Sequence, residues 1–194
     1  MTRNIVLASN NQGKLKEFFE ILSPLDIRLH AQTEFGVSDA EEPHLTFIEN
    51  ALAKARHAAR LTGLPALADD SGLCVNALNG APGVHSARYA GEPKSDSRNN
   101  QYLITNLAHQ QDRSAYYYCV LVYVRFELDP QPVIADGSWA GEIIAVPMGE
   151  HGFGYDPHFW IPSMRKTAAE LSTEQKNTMS HRGQALRALL EKLK

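Results

Sequence analysis

The stretch "RNIVLASNNQGKLKEF", from Arg3 to Phe18, starts as a short apolar run and passes through a polar turn into a helical pattern. The apolar run predicts a buried strand, and the spacing of apolar residues after Lys14 predicts an amphipathic helix that Pro24 ends. A strand, a short turn and a helix in this order are the building unit of α/β proteins. The stretch therefore favours an α/β fold.

The polar turn, Ser9 to Lys14, lies where the predicted helix begins. Free backbone N–H groups and the helix dipole favour an anion at such a position. The turn is not a Walker A loop, because Ala8 stands where that motif has its first glycine and Leu15 stands where it has Ser or Thr. We expect Lys14 to be exposed and to help bind a phosphate by another arrangement.

Composition sets limits on the class of protein. The chain has 194 residues, 43% of them hydrophobic and 21% charged, which suits one domain over residues 1–194. A net charge of -3 argues against a broad nucleic-acid-binding surface, and no apolar run approaches the length of a membrane span. Cys74 and Cys119 lie in apolar runs and are expected to be reduced. The sequence thus predicts a cytoplasmic protein that binds neither nucleic acid nor membranes.

Further strands and helices follow along the chain. Residues 115–128, "AYYYCVLVYVRFEL", give the strongest strand signal, and Asp129 and Pro130 turn that strand towards an antiparallel partner. Residues 65–78 predict two short strands around an acidic turn, with Asp69 and Asp70 at the end of the first. The pattern as a whole predicts a mixed central β-sheet flanked by helices.

The predicted helices have recognisable ends. Thr46 and Glu49 form a capping box at the start of one helix, and Gly63 ends it. Another helix spans Ser95 to His109. The remaining predictions are an apolar face made by Ile48, Ala51, Leu52, Ala55 and Ala59, a cap made by Ser172 and Gln175, and a last amphipathic helix marked by Leu186, Leu189, Leu190 and Leu193.

Acidic residues on two segments suggest a cation site. Glu41 and Glu42 lie in a predicted loop, and Asp69 and Asp70 are consecutive. Mg²⁺ prefers carboxylate oxygens and is usually shared with substrate phosphates. Successive strand side chains point to opposite faces, so only one aspartate would face a metal. Taken alone, each segment is better explained structurally, as a solvated acidic loop for Glu41 and Glu42 and as a tight turn for Asp69 and Asp70.

Cationic and aromatic residues add candidates for nucleotide binding. Lys14, Lys176 and Arg182 lie near loops or helix ends, where a triphosphate could be bound, whereas Lys54 is expected to be an exposed charge on a helix. In the glycine-rich segment "GFGYDPHFW", Phe153 or Tyr155 could stack on a base, while Phe159 and Trp160 are expected in the core. The eight histidines lack a metal-ligand spacing, which argues against zinc.

Six segments in order resemble one family. They are "SNNQGKLKEF", "LTFIENALAKA", "ADDSGL", "GAPGVHSARYAG", "GFGYDPHF" and "SHRGQAL", and they extend from Ser9 to Leu186. Together they are similar to the bacterial form of the inosine/xanthosine triphosphate pyrophosphatases. This family is also called HAM1-like, or the non-canonical purine NTP pyrophosphatases.

The resemblance implies a mixed α/β fold of two lobes with the active-site cleft between them, and a homodimer. It implies Mg²⁺-dependent hydrolysis of ITP, dITP or XTP to the monophosphate and pyrophosphate, which clears deaminated purines. By motif, Glu41 and Asp70 would be metal ligands, with Asp70 also the proton acceptor. The implied substrate-binding residues are Ser9, Asn10, Asn11, Gln12, Gly13 and Lys14 for phosphate and sugar, Ser71, the base-binding loop of Phe153, Gly154, Tyr155 and Asp156, and then Lys176, His181 and Arg182.

Three other functions stay open at this point. A Maf-like nucleotide pyrophosphatase would catalyse the same reaction on modified pyrimidines or 7-methylguanine, but "SHRGQAL" and "GFGYDPHF" favour the non-canonical purine NTP pyrophosphatases. A nucleotide-binding regulator without catalysis is disfavoured by the Glu41 and Asp70 pair. An RNA-binding module is disfavoured by the net charge of -3.

Overall fold

The computed structural model describes residues 3–22 and 27–194. Five helices and seven strands are defined there, together with short 3-10 helices. The predicted role of Pro24 lies outside the described residues. In chain order the elements are β1 Arg3–Leu7, α1 Gln12–Leu22, β2 Ile27–Ala31, α2 Phe47–Thr62, β3 Ala66–Val75, α3 Asp96–Leu107, β4 Ser114–Val124, β5 Val133–Ile143, β6 Phe159–Ile161, β7 Lys166–Thr167, α4 Thr173–Met179 and α5 His181–Lys192.

The seven strands form one sheet in the order β2-β1-β3-β4-β5-β6-β7. Strand β1 pairs in parallel with β2, for example Ile5 with Leu29, and with β3 at Val6 and Ala66. Strand β6 pairs antiparallel with both β5 and β7. The sheet is therefore mixed, which confirms the predicted fold class, and the N-terminal strand, turn and helix are as expected.

The chain divides into two compact units, each with its own hydrophobic core. The first unit comprises Met1–Asp70, Cys119–Gly137 and Ala185–Lys194, and the second comprises Ser71–Tyr118 and Ser138–Gln184. Strands β3, β4 and β5 contribute residues to both. The first core includes Leu7, Phe18, Leu67, Leu121 and Leu186, and the second includes Leu73, Leu103, Trp139, Tyr155 and Phe159. The cleft that the resemblance implies stays a prediction.

Strand β3 corrects one prediction. It runs unbroken from Ala66 to Val75, so Asp69 and Asp70 lie in the middle of a long strand and not at a turn between two short ones. The "DDSG" letters favour turns locally, but nine of the ten residues of this strand are buried. Burial of an apolar strand on both faces outweighs the turn preference of three polar residues.

Helix α2 begins and ends as predicted, but its buried face differs. The Thr46 hydroxyl accepts the Glu49 backbone N–H, and Gly63 ends the helix with a positive φ of 68°. The Glu49 carboxylate bonds to the Thr46 hydroxyl at 2.5 Å instead of to the Thr46 backbone N–H. Only one of the two bonds of the predicted capping box is therefore formed. Ile48 is 41% exposed, whereas Lys54 is buried. The predictions of a buried Ile48 and an exposed Lys54 are therefore wrong.

Several other local predictions are confirmed. The helix predicted from Ser95 onwards is present as α3, and Ser172 with Gln175 forms a reciprocal capping box at α4. Asp129 accepts the backbone N–H of Gln131 in the turn between β4 and β5. Cys74 and Cys119 are both buried and are not joined in a disulfide, and Phe159 lies in the core. Within the described residues, every helix is too short or too polar to cross a bilayer.

Candidate active site

The polar turn from Ser9 to Lys14 is held by its own side chains. The Ser9 hydroxyl accepts the Asn11 backbone N–H at 3.2 Å, and the Asn11 side-chain oxygen accepts the Lys14 backbone N–H at 3.1 Å. Asn11 therefore caps the start of α1, as asparagine commonly does. The predicted helix N-terminus is present, but two of its N–H groups are already bonded to side chains.

Gln32 connects this turn to the loop that contains Asp39, Glu41 and Glu42, here called the acidic loop. Its amide nitrogen donates to the Asn10 side-chain oxygen at 3.1 Å and to Asp39 Oδ1 at 2.7 Å. Only 2% of Gln32 is exposed. The sequence analysis missed this residue because a single glutamine after a strand carries no local signal of such a role.

Lys14 is not the exposed residue that the sequence predicted. Its Nζ lies 2.9 Å from Asp69 Oδ2, and its side chain is 16% exposed against 1% for Asp69. A buried carboxylate is costly unless it is paired, so this strand residue draws the lysine inward. Lys14 thus neutralises Asp69 while it forms the last residue of the polar turn.

Asp70 is part of a second, separate group of charges. Lys54 Nζ lies 3.0 Å from Asp70 Oδ1 and 2.8 Å from Glu42 Oε1, so one ammonium joins a strand carboxylate to a loop carboxylate. Asp69 and Asp70 therefore have different partners, as the alternation of side chains along a strand predicts. Lys54 was missed as a site residue, although its segment belongs to one of the six motifs.

Asn50 completes the surroundings of Asp70. Its Nδ2 donates to Asp70 Oδ2 at 3.3 Å and to the His44 carbonyl at 3.2 Å, and its Oδ1 accepts the His44 N–H at 3.1 Å. Asn50 and Lys54 are four residues apart on α2 and so share one helix face. One helix face thus positions both oxygens of Asp70 and holds the acidic loop.

Burial and charge act against each other on these two groups. Burial raises the pKa of Asp70, and the nearby charges of Lys54 and Lys14 lower it by less. Burial by itself would lower the pKa of Lys54, but the carboxylates of Asp70, Asp69 and Glu42 outweigh it and raise that pKa. Asp70 is therefore a carboxylate with more affinity for a proton than an ordinary surface aspartate.

The carboxylates here suit a hard cation in their chemistry. Within residues 3–22 and 27–194, no three His, Cys, Asp or Glu side chains lie close enough together to hold a metal ion. Mg²⁺, however, is commonly held by one or two carboxylates together with substrate phosphates and water. Asp70 offers one carboxylate, Glu42 shares Lys54 with it, and Glu41 is exposed on the same loop.

In the second unit, Asp156 is the centre of another group. Its carboxylate accepts bonds from Lys176 Nζ at 2.7 Å, from the Phe153 backbone N–H at 3.0 Å and from the Tyr117 hydroxyl at 3.2 Å. Asp156 and Lys176 are both buried. A buried carboxylate with three donors is well satisfied, and it fixes the glycine-rich loop against β4 and α4.

Phe153 lies beside two cations. Lys176 Nζ is 4.9 Å and Arg182 Cζ is 6.0 Å from the centre of its ring. Arg182 also donates to the Ser71 hydroxyl at 3.0 Å. The structure therefore brings together Ser71, Phe153, Lys176 and Arg182, which are far apart in the sequence.

His181 and Arg182 start α5. The Ser180 hydroxyl accepts the Gly183 N–H at 3.2 Å, which caps this helix. The His181 ring stacks on Tyr117, with ring centres 4.8 Å apart and planes at 11°. Tyr117 was not predicted as a site residue, because a tyrosine in an apolar strand looks like an ordinary core residue. Burial raises the pKa of Tyr117, so its hydroxyl stays protonated and can donate a hydrogen bond.

Tyr155 has a different environment from Phe153. It is 4% exposed, belongs to the core of the second unit and donates its hydroxyl to the Ser86 carbonyl at 2.7 Å. Its predicted role in binding the base stays a prediction. Phe153 is only partly buried, so it is the aromatic residue of this loop with ring surface to offer.

Comparison with known proteins gives a consistent result. The sequence profile of the Ham1 family matches residues 5–192. A protein of Nitrosomonas europaea named dITP/XTP pyrophosphatase is 63% identical over 189 residues, which covers 97% of this chain and 93% of that protein. A Ralstonia nicotianae protein of the same name is 63% identical over 195 residues, with 99% and 97% covered.

Solved structures agree with these relatives. A HAM1 protein from Coxiella burnetii is 53% identical with a TM-score of 0.92, and 98% of each chain is covered. The Ham1 protein of Staphylococcus aureus is 44% identical with a TM-score of 0.87, covering 99% of this chain and 100% of that one. Likeness at this level over the whole length, in both sequence and fold, leaves the Maf-like alternative without support, and the chain belongs to the Ham1 family.

Proposed function

We propose that this protein hydrolyses the triphosphates of deaminated purines, ITP, dITP and XTP, to the monophosphate and pyrophosphate. The names of the Nitrosomonas and Ralstonia relatives support a pyrophosphatase that acts on dITP and XTP, and the family resemblance adds ITP. The observation that carries the proposal is Asp70, a buried carboxylate held by Lys54 and Asn50. A buried carboxylate whose pKa is shifted by burial and charged neighbours is typical of catalytic sites, which favours an enzyme over a regulator.

The reaction needs one water, one base and neutralisation of charge. We assign the base to Asp70. The water oxygen attacks the α-phosphorus while Asp70 takes the water proton, and the bond from the α-phosphorus to the oxygen bridging to the β-phosphorus breaks. Pyrophosphate leaves with the electron pair of that bond. A pKa raised by burial suits Asp70, since a general base works best when its pKa approaches the working pH.

We propose Mg²⁺ as the cofactor, held by Glu41 and Asp70. When bound, Mg²⁺ supplies positive charge that offsets the charge of the phosphates. Glu42 is the competing candidate, because it is the acidic-loop residue that shares Lys54 with Asp70. Carboxylate chemistry supports both glutamates.

The remaining phosphate contacts are assigned to the N-terminal turn. We propose that the turn from Ser9 to Lys14 binds the triphosphate and sugar, including Asn10, Asn11, Gln12 and Gly13, and that Ser71 also contacts the substrate. The start of α1 supports this assignment, because helix N-termini attract anions. Lys14 adds a positive charge there, shared with Asp69.

Recognition of the purine base is assigned to the glycine-rich loop in the second unit, from Phe153 to Asp156. We propose that Phe153 stacks on the purine and that His181, Arg182 and Lys176 provide donors, with Gly154, Tyr155 and Asp156 shaping the loop. Hypoxanthine and xanthine have a 6-keto acceptor, whereas adenine has a 6-amino donor. A donor left unpaired against adenine can give discrimination of roughly 10⁴ or more.

We also propose a cytoplasmic homodimer of single-domain subunits that binds neither nucleic acid nor membranes. The family resemblance supports the dimer, and a net charge of -3 supports the absence of nucleic-acid binding. Light scattering after size-exclusion chromatography would measure the subunit number, and a mass near one chain of 21.5 kDa would refute the dimer.

Pyrophosphate release tests the function. The assay compares ITP, XTP, dITP, ATP and GTP with and without Mg²⁺, using the wild type, Asp70→Asn and the control Asp136→Asn at an exposed position of β5. Loss of a general base costs about 10² to 10⁴ in rate, so only the first variant should lose activity. If the wild type releases no pyrophosphate from ITP, XTP or dITP, the proposal is wrong.

A further inference from the structure

The backbone N–H and the backbone carbonyl of Gly154 both bond to side chains of helix α3. Its N–H donates to Asp96 Oδ2 at 2.7 Å, and its carbonyl accepts from Asn100 Nδ2 at 3.0 Å. The proposed function gives neither Asp96 nor Asn100 a role. Gly154 directly follows Phe153, the residue to which we assign base stacking.

The helix that provides these two side chains is well suited to the task. Asp96 and Asn100 are four residues apart on α3, so they lie on the same face. Ser95 caps the helix, and Asp96 lies in its first turn, where the helix dipole favours a negative charge. The two bonds to Gly154 therefore come from a rigid element with a defined orientation.

The backbone on both sides of Phe153 is closely constrained. Gly152 and Gly154 have φ values of +80° and +63°, and a Cβ on Gly152 would meet Asp156 Oδ2 at 2.1 Å. The Phe153 N–H is bonded to the same Asp156 oxygen. Asp156 thus holds the backbone N–H of Phe153 itself, and α3 holds Gly154, the residue that follows it.

We propose that Asp96 and Asn100 are positioning residues that act through Gly154 on the Phe153 ring. They fix the plane in which the ring is presented, and so they set how well it stacks on a purine. This inference rests on the proposed function, because it needs a base that Phe153 contacts. The two residues themselves touch the loop backbone and need no contact with the substrate.

Steady-state kinetics on ITP distinguish positioning from a general loss of folding. Stacking on the base is made in the ground state as well as in the transition state, so its loss raises KM and changes kcat little. Asp96→Ala and Asn100→Ala should each raise KM about tenfold, because the binding of ITP must then order the loop that the lost hydrogen bond held in place beforehand. Gln101→Ala is the matched control, since Gln101 is exposed on the same helix and contacts Thr105.

Conservative variants sharpen the test. Asp96→Asn keeps an oxygen that accepts the Gly154 N–H, so it should recover most of the affinity. Asn100→Asp replaces a donor by an acceptor facing a carbonyl, so it should bind ITP more weakly than Asn100→Ala does. The opposite order at either position would overturn the inference.

A double-mutant cycle decides whether the effect passes through Phe153. In a Phe153→Ala background, Asp96→Ala should change KM by less than about twofold, because the ring that it positions is gone. If Asp96→Ala raises KM as much in that background as in the wild type, Asp96 stabilises the unit as a whole and the inference fails.

Hydrogen exchange tests the contact without any substrate. The Gly154 amide should exchange about tenfold or more faster in Asp96→Ala than in the wild type and Gln101→Ala. Unchanged exchange would refute the contact and the inference with it. Faster exchange in an enzyme that releases no pyrophosphate from ITP, XTP or dITP would instead refute the proposed function and, because the inference rests on it, the positioning role, while leaving the contact established.

Discussion

Replacement of Lys54 by methionine tests the most unexpected feature of the candidate site. Methionine keeps the length and the apolar stem of the side chain but removes the charge that joins Asp70 to Glu42. Asp70 and Lys54 are 8% and 11% exposed, so this pair is buried, whereas the Glu42 side chain is 28% exposed. The loss of stability should therefore come mainly from Asp70.

The expected size follows from these exposures. Removing one partner of a buried ion pair costs about 3–5 kcal/mol because the other charge is stranded. Asn50 still donates to Asp70, and a stranded carboxylate can take up a proton, so both reduce the loss. The partly exposed contact with Glu42 adds at most about 1 kcal/mol. We expect Lys54→Met to lower the free energy of unfolding by about 2–4 kcal/mol.

Chemical denaturation of four proteins measures this quantity. They are the wild type, Lys54→Met, Asp70→Asn and the double variant, all without nucleotide or added metal. Asp70→Asn removes the charge that Lys54→Met strands, so the double variant should be more stable than the sum of the single losses predicts, by about 1–3 kcal/mol. Lys16→Met is the control, because Lys16 is 71% exposed and should shift stability by less than about 0.5 kcal/mol.

Two results would refute this reasoning. One is a Lys54→Met variant as stable as the Lys16→Met control, which would mean that the buried pair contributes nothing. The other is strict additivity in the double variant, which would mean that Lys54 stabilises the helix without acting on Asp70.

Three further predictions concern recognition of the purine base, the binding of Mg²⁺ and the stability of the fold at acid pH. Arg182→Ala should lower ITP turnover by about tenfold or more and narrow the ratio of ITP to ATP turnover; an equal loss on both nucleotides would assign Arg182 to phosphate binding or folding. Glu41→Gln should raise the Mg²⁺ concentration for half-maximal activity by about tenfold or more, and Glu42→Gln should raise it less; the reverse order would make Glu42 the ligand. The Arg125 guanidinium holds the pKa of Asp129 well below its usual range, so the stability that this carboxylate adds is present at neutral pH and is lost as pH falls below about 4. Asp129→Asn should therefore be less stable than the wild type at pH 7 in urea unfolding, with a smaller difference at pH 3; equal differences at both pH values would contradict this.

The sequence alone determined the parts of this protein that depend on neighbours in the chain. The sequence predicted the strand, turn and helix at the N-terminus, the helix that starts near Ser95, the cap made by Ser172 and the long strand β4. Such signals are local, since a cap needs a side chain within three residues and a strand needs only its own apolar pattern. The ordered motifs also identified the family.

The tertiary structure decided which charges are buried and what they pair with. Lys54 was expected in solvent, but the face of α2 that carries it also carries Ala51, Ala55 and Ala58, and it packs inward. The small residues on that face were a signal that could have been noticed: a lysine among buried alanines needs a carboxylate partner. The partners, Asp70 and Glu42, lie 16 and 12 residues away in the chain, so no local pattern could name them.

The same reason explains the other differences. Asp69 and Asp70 suit a turn by residue type, but the pairing of β3 within the sheet keeps them in a strand. Tyr117 and Asp156 meet across 39 residues, and Asp96 reaches Gly154 across 58. Residue type and local pattern predicted most of the elements, such as α1 and β4, but not the unbroken length of β3. Which buried polar group satisfies which other is settled only when distant segments pack, because a buried charge or N–H must find its partner in three dimensions.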